Sequence, residues 1–184
     1  DDYTGVTGYY STPLCRPGPP ATREAPAYFR RGTKHYLASS GTTCYFPNPS
    51  EIAVADTYHG PWTTLGTLHR NDTSSSSFNS QISSVFRHPA KRDLYIALAD
   101  RWNGTIDDPT FDSGELSSRV HDAFERAFTG PTSTAEDAVV MKRWGGIDIN
   151  TSLARHVWLP IRFEDDRPFI EWRDEWSLDE FEDR

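Results

Sequence analysis

Two short segments place polar side chains at the start of strand-like runs. Residues 23–29 put the carboxylate of Glu24 directly ahead of a proline and an aromatic strand. Residues 78–81 end in the amide of Gln81, at the start of the run 82–86. A carboxyl that proline and aromatic rings partly desolvate suits general acid catalysis. An amide orients water by donating and accepting hydrogen bonds. The simpler alternatives are a surface glutamate and a loop-capping amide.

The elements that must position these groups are mostly predicted strands. Runs rich in β-branched and aromatic residues, bounded by Gly, Pro, Asn or Asp, cover residues 27–30, 34–39, 51–56, 82–87, 93–100, 156–163 and 168–172. Residues 30–33 and 164–167 have the composition of hairpin turns, and the serine run 74–77 predicts a loop. The sequence therefore predicts an all-β fold. The strand spacing is compatible with a sandwich, a barrel or a propeller.

One region, residues 104–150, interrupts the β pattern with a predicted pair of helices. Apolar residues recur every four positions at Leu116, Val120, Phe124 and Phe128. Ser133 and Glu136 have the spacing of a capping box ahead of a second helix that extends to Trp144. The pair is either a surface ornament, or a lid or subunit contact.

Charge and composition disfavour several classes of partner. The net charge of −8 and the pI near 5.2 disfavour binding to nucleic acid, which requires a basic surface. No run of residues approaches the roughly 20 apolar residues of a membrane span. The two cysteines have no metal-ligand spacing, so no metal site is predicted.

Cysteines and glycosylation sequons indicate a secreted protein. Sequons begin at Asn71, Asn103 and Asn150. Asn71 precedes the serine loop and Asn150 follows the helical region, so these two are the expected glycan carriers. Cys15 and Cys44 would form one disulfide in an oxidising compartment, or remain two free, buried thiols.

Four motifs together resemble those of family 43 glycoside hydrolases, and most of all the branch that includes exo-β-1,3-galactanases. They are Arg-Glu-Ala-Pro-Ala at 23–27, Asn-Ser-Gln at 79–81, Asp-Arg-Trp-Asn at 100–103 and Val-Trp-Leu-Pro at 157–160. The resemblance extends to about residue 178. It implies the later blades of a five-bladed β-propeller, with the helical pair as an insertion. It also implies that the chain begins inside the family's catalytic domain.

The resemblance further implies roles for individual residues. Glu24 matches the general acid of an inverting hydrolase. Gln81 matches the glutamine that the galactanase-like branch has in a catalytic position, and we expect it to position the attacking water. The expected sugar contacts are Thr42, Tyr45, Asn79, Asp100 and Arg101. Cys44 and Tyr45 stand where the family usually has Gly-Trp, so the stacking platform differs. No cofactor is implied.

Three regions and one principal function follow from these motifs. Residues 1–103 are expected to form the blades that carry the acid and the glutamine, 104–150 the helical insertion, and 151–184 the final strands and an acidic tail. The expected function is secreted, inverting hydrolysis of β-1,3-galactan or arabinogalactan side chains. Another polypeptide, either a cleaved N-terminal part or a neighbouring copy, is expected to supply the early blades. The alternatives are a non-catalytic carbohydrate-binding or assembly protein, and an arabinofuranosidase or xylosidase of the same family.

Overall fold

The computed structural model describes residues 4–5, 8, 23–102, 119–120, 122–124, 126–127, 134–145 and 150–184. In this part of the chain the structure is mostly β, in two four-stranded sheets that follow one another along the sequence. Each sheet keeps its strands in chain order, and every named pair is antiparallel. This up-and-down order is the one that propeller blades have. The number of blades in a complete propeller stays a prediction.

The first sheet begins with a tight hairpin. Its strands are β1 (Glu24–Arg31), β2 (Lys34–Ser40), β3 (Glu51–Ala55) and β4 (Thr63–Thr67). Gly32 and Thr33 join β1 to β2, and Gly32 has a φ of +57°, which glycine adopts without steric cost. The predicted turn at residues 30–33 is confirmed, whereas β4 was not predicted.

The second sheet contains the second predicted hairpin. Its strands are β5 (Ser80–Arg87), β6 (Tyr95–Arg101), β7 (Arg155–Glu164) and β8 (Arg167–Phe169). Asp165 and Asp166 form the turn between β7 and β8, and Asp165 has a φ of +54°. Aspartate tolerates this left-handed conformation better than most residues. The strand β8 is shorter than the predicted run 168–172.

The two sheets share one apolar core, which fixes the inner strands β1 and β5 beside each other. The Phe29 ring stacks on Tyr36 with 4.9 Å between centroids and lies 5.5 Å from Tyr95. Aromatic pairs at this spacing contribute about 0.5–1.5 kcal/mol beyond their buried area. Within the same core, the Ile170 N–H donates to the Leu68 carbonyl and the Ile170 carbonyl accepts from the Arg70 N–H, both at 2.8 Å. The sheets are therefore joined both by packing and by backbone bonds.

Helical residues occur where the sequence predicts them, but the cap differs from the expected one. Residues 119–120, 122–124 and 126–127 are helical, and a second helix spans Ala135–Gly145. Thr134 Oγ1 accepts from the Asp137 N–H at 3.0 Å, and an Asp137 carboxylate oxygen accepts from the Thr134 N–H at 2.8 Å. This reciprocal pair is the capping box, one residue later than the predicted Ser133 and Glu136. Ser133, Leu116 and Phe128 lie outside the described residues.

The helical residues pack on the loop between β2 and β3. Val120, Ala123 and Val140 are buried against Phe46 in a second apolar cluster. Phe46 accepts a hydrogen bond from Thr43 Oγ1 at 2.7 Å, so this contact reaches the segment that contains Thr42 and Tyr45. The predicted insertion is thus attached to a loop that carries expected sugar contacts.

Candidate active site

The first feature of the site is a direct contact between Glu24 and Gln81. Glu24 is the first residue of β1 and Gln81 the second of β5. Gln81 Nε2 donates to Glu24 Oε1 at 3.0 Å and to Ser40 Oγ at 2.6 Å. The structure therefore brings together two groups that lie 57 positions apart in sequence. Their catalytic roles stay predictions.

Glu24 and Gln81 are too close for a substrate to lie between them. The carboxyl groups of inverting glycosidases stand about 6.5–9.5 Å apart, because a sugar and a water lie between them. With Gln81 Nε2 at 3.0 Å from Glu24 Oε1, this arrangement has no room for a sugar between the two side chains. Gln81 can therefore hold a water opposite Glu24 only after the two side chains separate.

A bulge at the start of β1 sets the direction of Glu24. The β1–β2 register is regular from Arg31 opposite Lys34 to Ala27 opposite Ala38, and then shifts so that Glu24 faces Ser40. Ala25 in this bulge has a φ of +48°. A left-handed alanine costs roughly 1–2 kcal/mol, and such strain is common where a site must re-aim a side chain.

A compact loop before β5 positions Gln81 next to Glu24. The Asp72 carboxylate accepts from the N–H groups of Ser76 and Ser77 at 2.8 and 2.6 Å, and from Ser74 Oγ at 2.6 Å. Phe78 and Asn79 both have a φ of +58°. The predicted serine loop is confirmed, and the carboxylate of one aspartate satisfies three of its donors.

Asp100 continues the row that begins at Gln81. Gln81 faces Asp100 across β5 and β6, and Asp100 faces His156 across β6 and β7. Asp100 Oδ1 lies 2.9 Å from His156 Nδ1. Side chains directly opposite in antiparallel strands share a face, so this polar row runs outward from Gln81 across the second sheet.

Arg101 and Asn79 lie beside that row, and both are half-buried. The Arg101 guanidinium stacks 4.7 Å from the Trp172 ring and donates from Nε to the Phe78 carbonyl at 3.2 Å. Burial, and repulsion from Arg155, lower the pKa of Arg101 from its usual value. A partly desolvated guanidinium is a strong donor for a hydroxyl or a carboxylate.

The loop after β2 holds the remaining expected contacts. Asn48 fastens this loop: its Oδ1 accepts from the Gly41 N–H at 2.7 Å and its Nδ2 donates to Thr43 Oγ1 at 2.6 Å. Tyr45 is 53% exposed and lies edge-on to Trp102, with 5.9 Å between centroids. Thr42, three residues before Tyr45, is half-buried. An exposed tyrosine ring on a fastened loop suits stacking against a sugar face.

The predicted disulfide is not shown by the structure. Cys44 is an exposed free cysteine, and Cys15 lies outside the described residues. The sequon residues Asn71 and Asn150 are exposed, whereas Asn103 lies outside the described part. Asn150 Oδ1 accepts from the N–H and the hydroxyl of Ser152, at 3.1 and 2.6 Å.

Ser40 is the member of the site that the sequence did not indicate. If the regular register of the hairpin continued to the start of β1, Gly41 would lie opposite Glu24. The bulge at Ala25 moves the pairing by one residue and brings Ser40 there instead. Only the position of the bulge would have revealed this serine.

No helix in the described part of the chain is long and apolar enough to span a membrane. The same part contains no cluster of three or more potential metal-ligating side chains.

Comparison with known proteins finds solved structures that this chain resembles. No family model and no curated protein matches the sequence. A GH43 β-1,3-galactosidase structure has 25% identity and a TM-score of 0.56, and the match covers 86% of this chain and 24% of that chain. A second GH43 β-1,3-galactosidase, solved with galactodeoxynojirimycin, has 22% identity and a TM-score of 0.54, over 85% and 32% of the two chains. An exo-β-1,3-galactanase from Clostridium thermocellum has 24% identity and a TM-score of 0.47, over 81% and 23%.

The chain spans about a quarter to a third of the length of these solved structures. The resemblance to family 43 glycoside hydrolases is confirmed by the similarity to a GH43 β-1,3-galactosidase structure. This chain is similar to one part of such a protein.

Proposed function

We propose that this chain is part of a secreted, inverting glycoside hydrolase that removes galactose from β-1,3-galactan or arabinogalactan side chains. The observation that carries the proposal is the contact of Glu24 with Gln81, at 3.0 Å, on neighbouring inner strands. The similarity to GH43 β-1,3-galactosidases supports the same substrate class.

In the proposed reaction Glu24 is the general acid. Its Oε1 accepts from Gln81, so Oε2 is the oxygen that carries the proton. The bond between the anomeric carbon and the leaving oxygen breaks, and Glu24 gives its proton to that oxygen. A water forms the new bond from the opposite face of the ring, and Gln81 orients it. The proton that this water loses goes to a carboxylate, which we place on the completing polypeptide.

The neighbouring polar groups fit the binding of a neutral sugar. The Asp100–His156 pair and the Arg101 guanidinium offer acceptors and donors for hydroxyl groups. Tyr45 offers an exposed aromatic face. We assign these residues, with Thr42 and Asn79, to the recognition of the terminal galactose.

The completing polypeptide would cover the outer faces of both sheets. Trp158 is 52% exposed and packs edge-on to the exposed Phe86, with 6.2 Å between centroids, on the second sheet. Tyr28 and Tyr58 form a similar exposed pair at 5.3 Å on the first sheet. Exposed aromatic clusters of this kind mark interaction surfaces. We propose that another chain, or another part of the same precursor, covers these clusters and closes a five-bladed propeller.

One observation favours a second function, a non-catalytic carbohydrate-binding or assembly protein. The Glu24–Gln81 contact, at 3.0 Å, leaves no room for a sugar and a water between the two side chains. A protein that never separates the two groups would bind a glycan without cleaving it.

The test is to incubate the purified protein, with any chain that co-purifies, with β-1,3-galactan. The proposal predicts release of galactose that is initially the α-anomer, followed by proton NMR. Aryl arabinofuranosides and xylosides serve as competing substrates. Galactan binding without cleavage would favour the second function. Faster release of arabinose or xylose would favour the other activities of the family.

A further inference from the structure

We propose that Ser40 is a positioning residue, which holds the Gln81 amide by its nitrogen so that the amide oxygen is presented to the attacking water. This inference rests on the proposed function and adds a residue that no motif indicates. Ser40 is 4% exposed and ends β2 directly opposite Glu24.

The Gln81 amide uses its nitrogen for hydrogen bonds within the protein. A glutamine NH2 group has two hydrogens, and its carbonyl oxygen has two lone pairs. Gln81 Nε2 has two acceptors within reach, Glu24 Oε1 at 3.0 Å and Ser40 Oγ at 2.6 Å. Both hydrogens are thereby used. Among the described residues no donor bonds to Gln81 Oε1, which leaves that oxygen as the group that can accept from a water.

A hydrogen bond to Gly41 orients the Ser40 hydroxyl. Ser40 Oγ has one hydrogen, and the Gly41 carbonyl lies 3.4 Å away as its acceptor. A hydroxyl that donates to Gly41 turns a lone pair toward Gln81, which selects the amide nitrogen. The reversed amide would set its oxygen 3.0 Å from the Glu24 carboxylate, so that two acceptors would face each other.

When a sugar enters, Gln81 loses its bond to Glu24 and keeps its bond to Ser40. The sugar must separate Gln81 from Glu24, because the required spacing is wider than the contact. We expect Glu24 to be the side chain that turns away, because Ser40 is 4% exposed at the end of β2 and holds Gln81 Nε2 at 2.6 Å. Ser40 therefore keeps the nitrogen anchored while the Glu24 bond is lost. The amide oxygen remains directed to the water.

Kinetics of a matched pair of variants test the positioning role. Ser40→Ala removes the acceptor and should lower kcat about 5- to 10-fold with KM little changed, as expected for loss of one hydrogen bond in the transition state. Ser40→Thr keeps a hydroxyl and should restore most of kcat. Ser84→Ala, at an exposed serine of β5, is the control. Equal kcat values for Ser40→Ala and wild type would overturn the proposal.

A second readout does not depend on activity. Gln81 is the only glutamine of the 184 residues, so nitrogen-15 labelling of glutamine side chains gives a single NH2 signal pair in NMR. We expect two separate, slowly exchanging protons in wild type. One of them should exchange fast in Ser40→Ala, and the other in Glu24→Ala. If Ser40→Thr does not fold, Ser40→Cys keeps the shape with a weaker acceptor.

The two readouts separate the failure of this inference from that of the proposed function. A protein that cleaves no glycan but loses one protected proton in Ser40→Ala would sink the hydrolase proposal and keep the Ser40 bond. An active protein whose Gln81 protons ignore Ser40→Ala would do the reverse.

Discussion

The imidazole of His69 is a buried titratable group, 3% exposed, and its Nδ1 lies 2.7 Å from Ser50 Oγ. Burial lowers its pKa from 6.5 to about 4, although the nearby Asp72 carboxylate opposes this. Below pH 6.5 the unfolded chain binds a proton at His69, whereas the folded protein binds it only near pH 4. Stability that is fully present above pH 6.5 is therefore lost as the pH falls toward 4.

This linkage predicts a loss on the order of 3 kcal/mol of unfolding free energy between pH 7 and pH 4 from His69 alone. Urea unfolding at pH 7.5, 5.5 and 4.5 measures it. The His69→Gln variant should lack this part of the pH dependence, and the exposed His59→Gln variant should keep it. Parallel pH profiles for His69→Gln and wild type would show that His69 is not responsible.

Individual residues were predictable from the sequence where a motif marked them. The sequence analysis singled out Glu24 and Gln81 as polar groups at the starts of strands, and the structure brings them into contact. Ser40 was not, because its place depends on the backbone bulge at Ala25, and no residue type announces a left-handed alanine. The cap at Thr134 was missed by one residue because Ser133 and Glu136 offered the same chemistry one position earlier.

The loop that precedes Gln81 and strand β5 depends on one carboxylate, that of Asp72. Asp72→Ala would leave the Ser76 and Ser77 N–H groups without their acceptor. We expect it to lower the unfolding free energy by about 1–3 kcal/mol. Asp56→Ala, whose side chain is exposed beside Lys34, should cost less than about 1 kcal/mol. Equal losses for the two variants, measured by urea unfolding, would contradict the structural role of Asp72.

The helix Ala135–Gly145 offers a second test. Thr134→Ala removes the cap of the helix Ala135–Gly145 and should cost about 1 kcal/mol of helix stability. Ser133→Ala tests the position that the sequence favoured. Thermal unfolding followed by circular dichroism compares the two variants. A larger loss for Ser133→Ala would place the cap where the sequence analysis had it.

The strands themselves were largely predictable, with one informative failure. Seven of the eight strands of the two sheets follow aromatic or β-branched runs. The strand β4 has the sequence Thr-Thr-Leu-Gly-Thr, and the glycine at position 66, with a φ of +93°, interrupts its alternation. A strand at the outer edge of a sheet needs little apolar surface, so its pattern is weak.

For the whole molecule, the exposed aromatic faces predict association. Native mass spectrometry and light scattering of the purified protein should show a second polypeptide or a second copy, through an interface above about 2,000 Å² if it is obligate. Trp158→Asp should weaken this association, because it puts a charge into the exposed cluster of Trp158 and Phe86. Leu153→Asp, at another exposed apolar residue, is the control. A monomeric protein that cleaves galactan unaided would contradict the need for a completing chain.

The proposed function requires Glu24 to donate a proton to the leaving group, and one kinetic comparison tests this role. Glu24→Gln and wild type are assayed on β-1,3-galactobiose and on 2,4-dinitrophenyl β-galactoside, whose leaving group needs no proton. For Glu24→Gln we expect a fall in kcat of about 10²- to 10⁴-fold on galactobiose and a much smaller fall on the dinitrophenyl substrate. Equal losses on both substrates, or near-normal turnover of galactobiose, would contradict it.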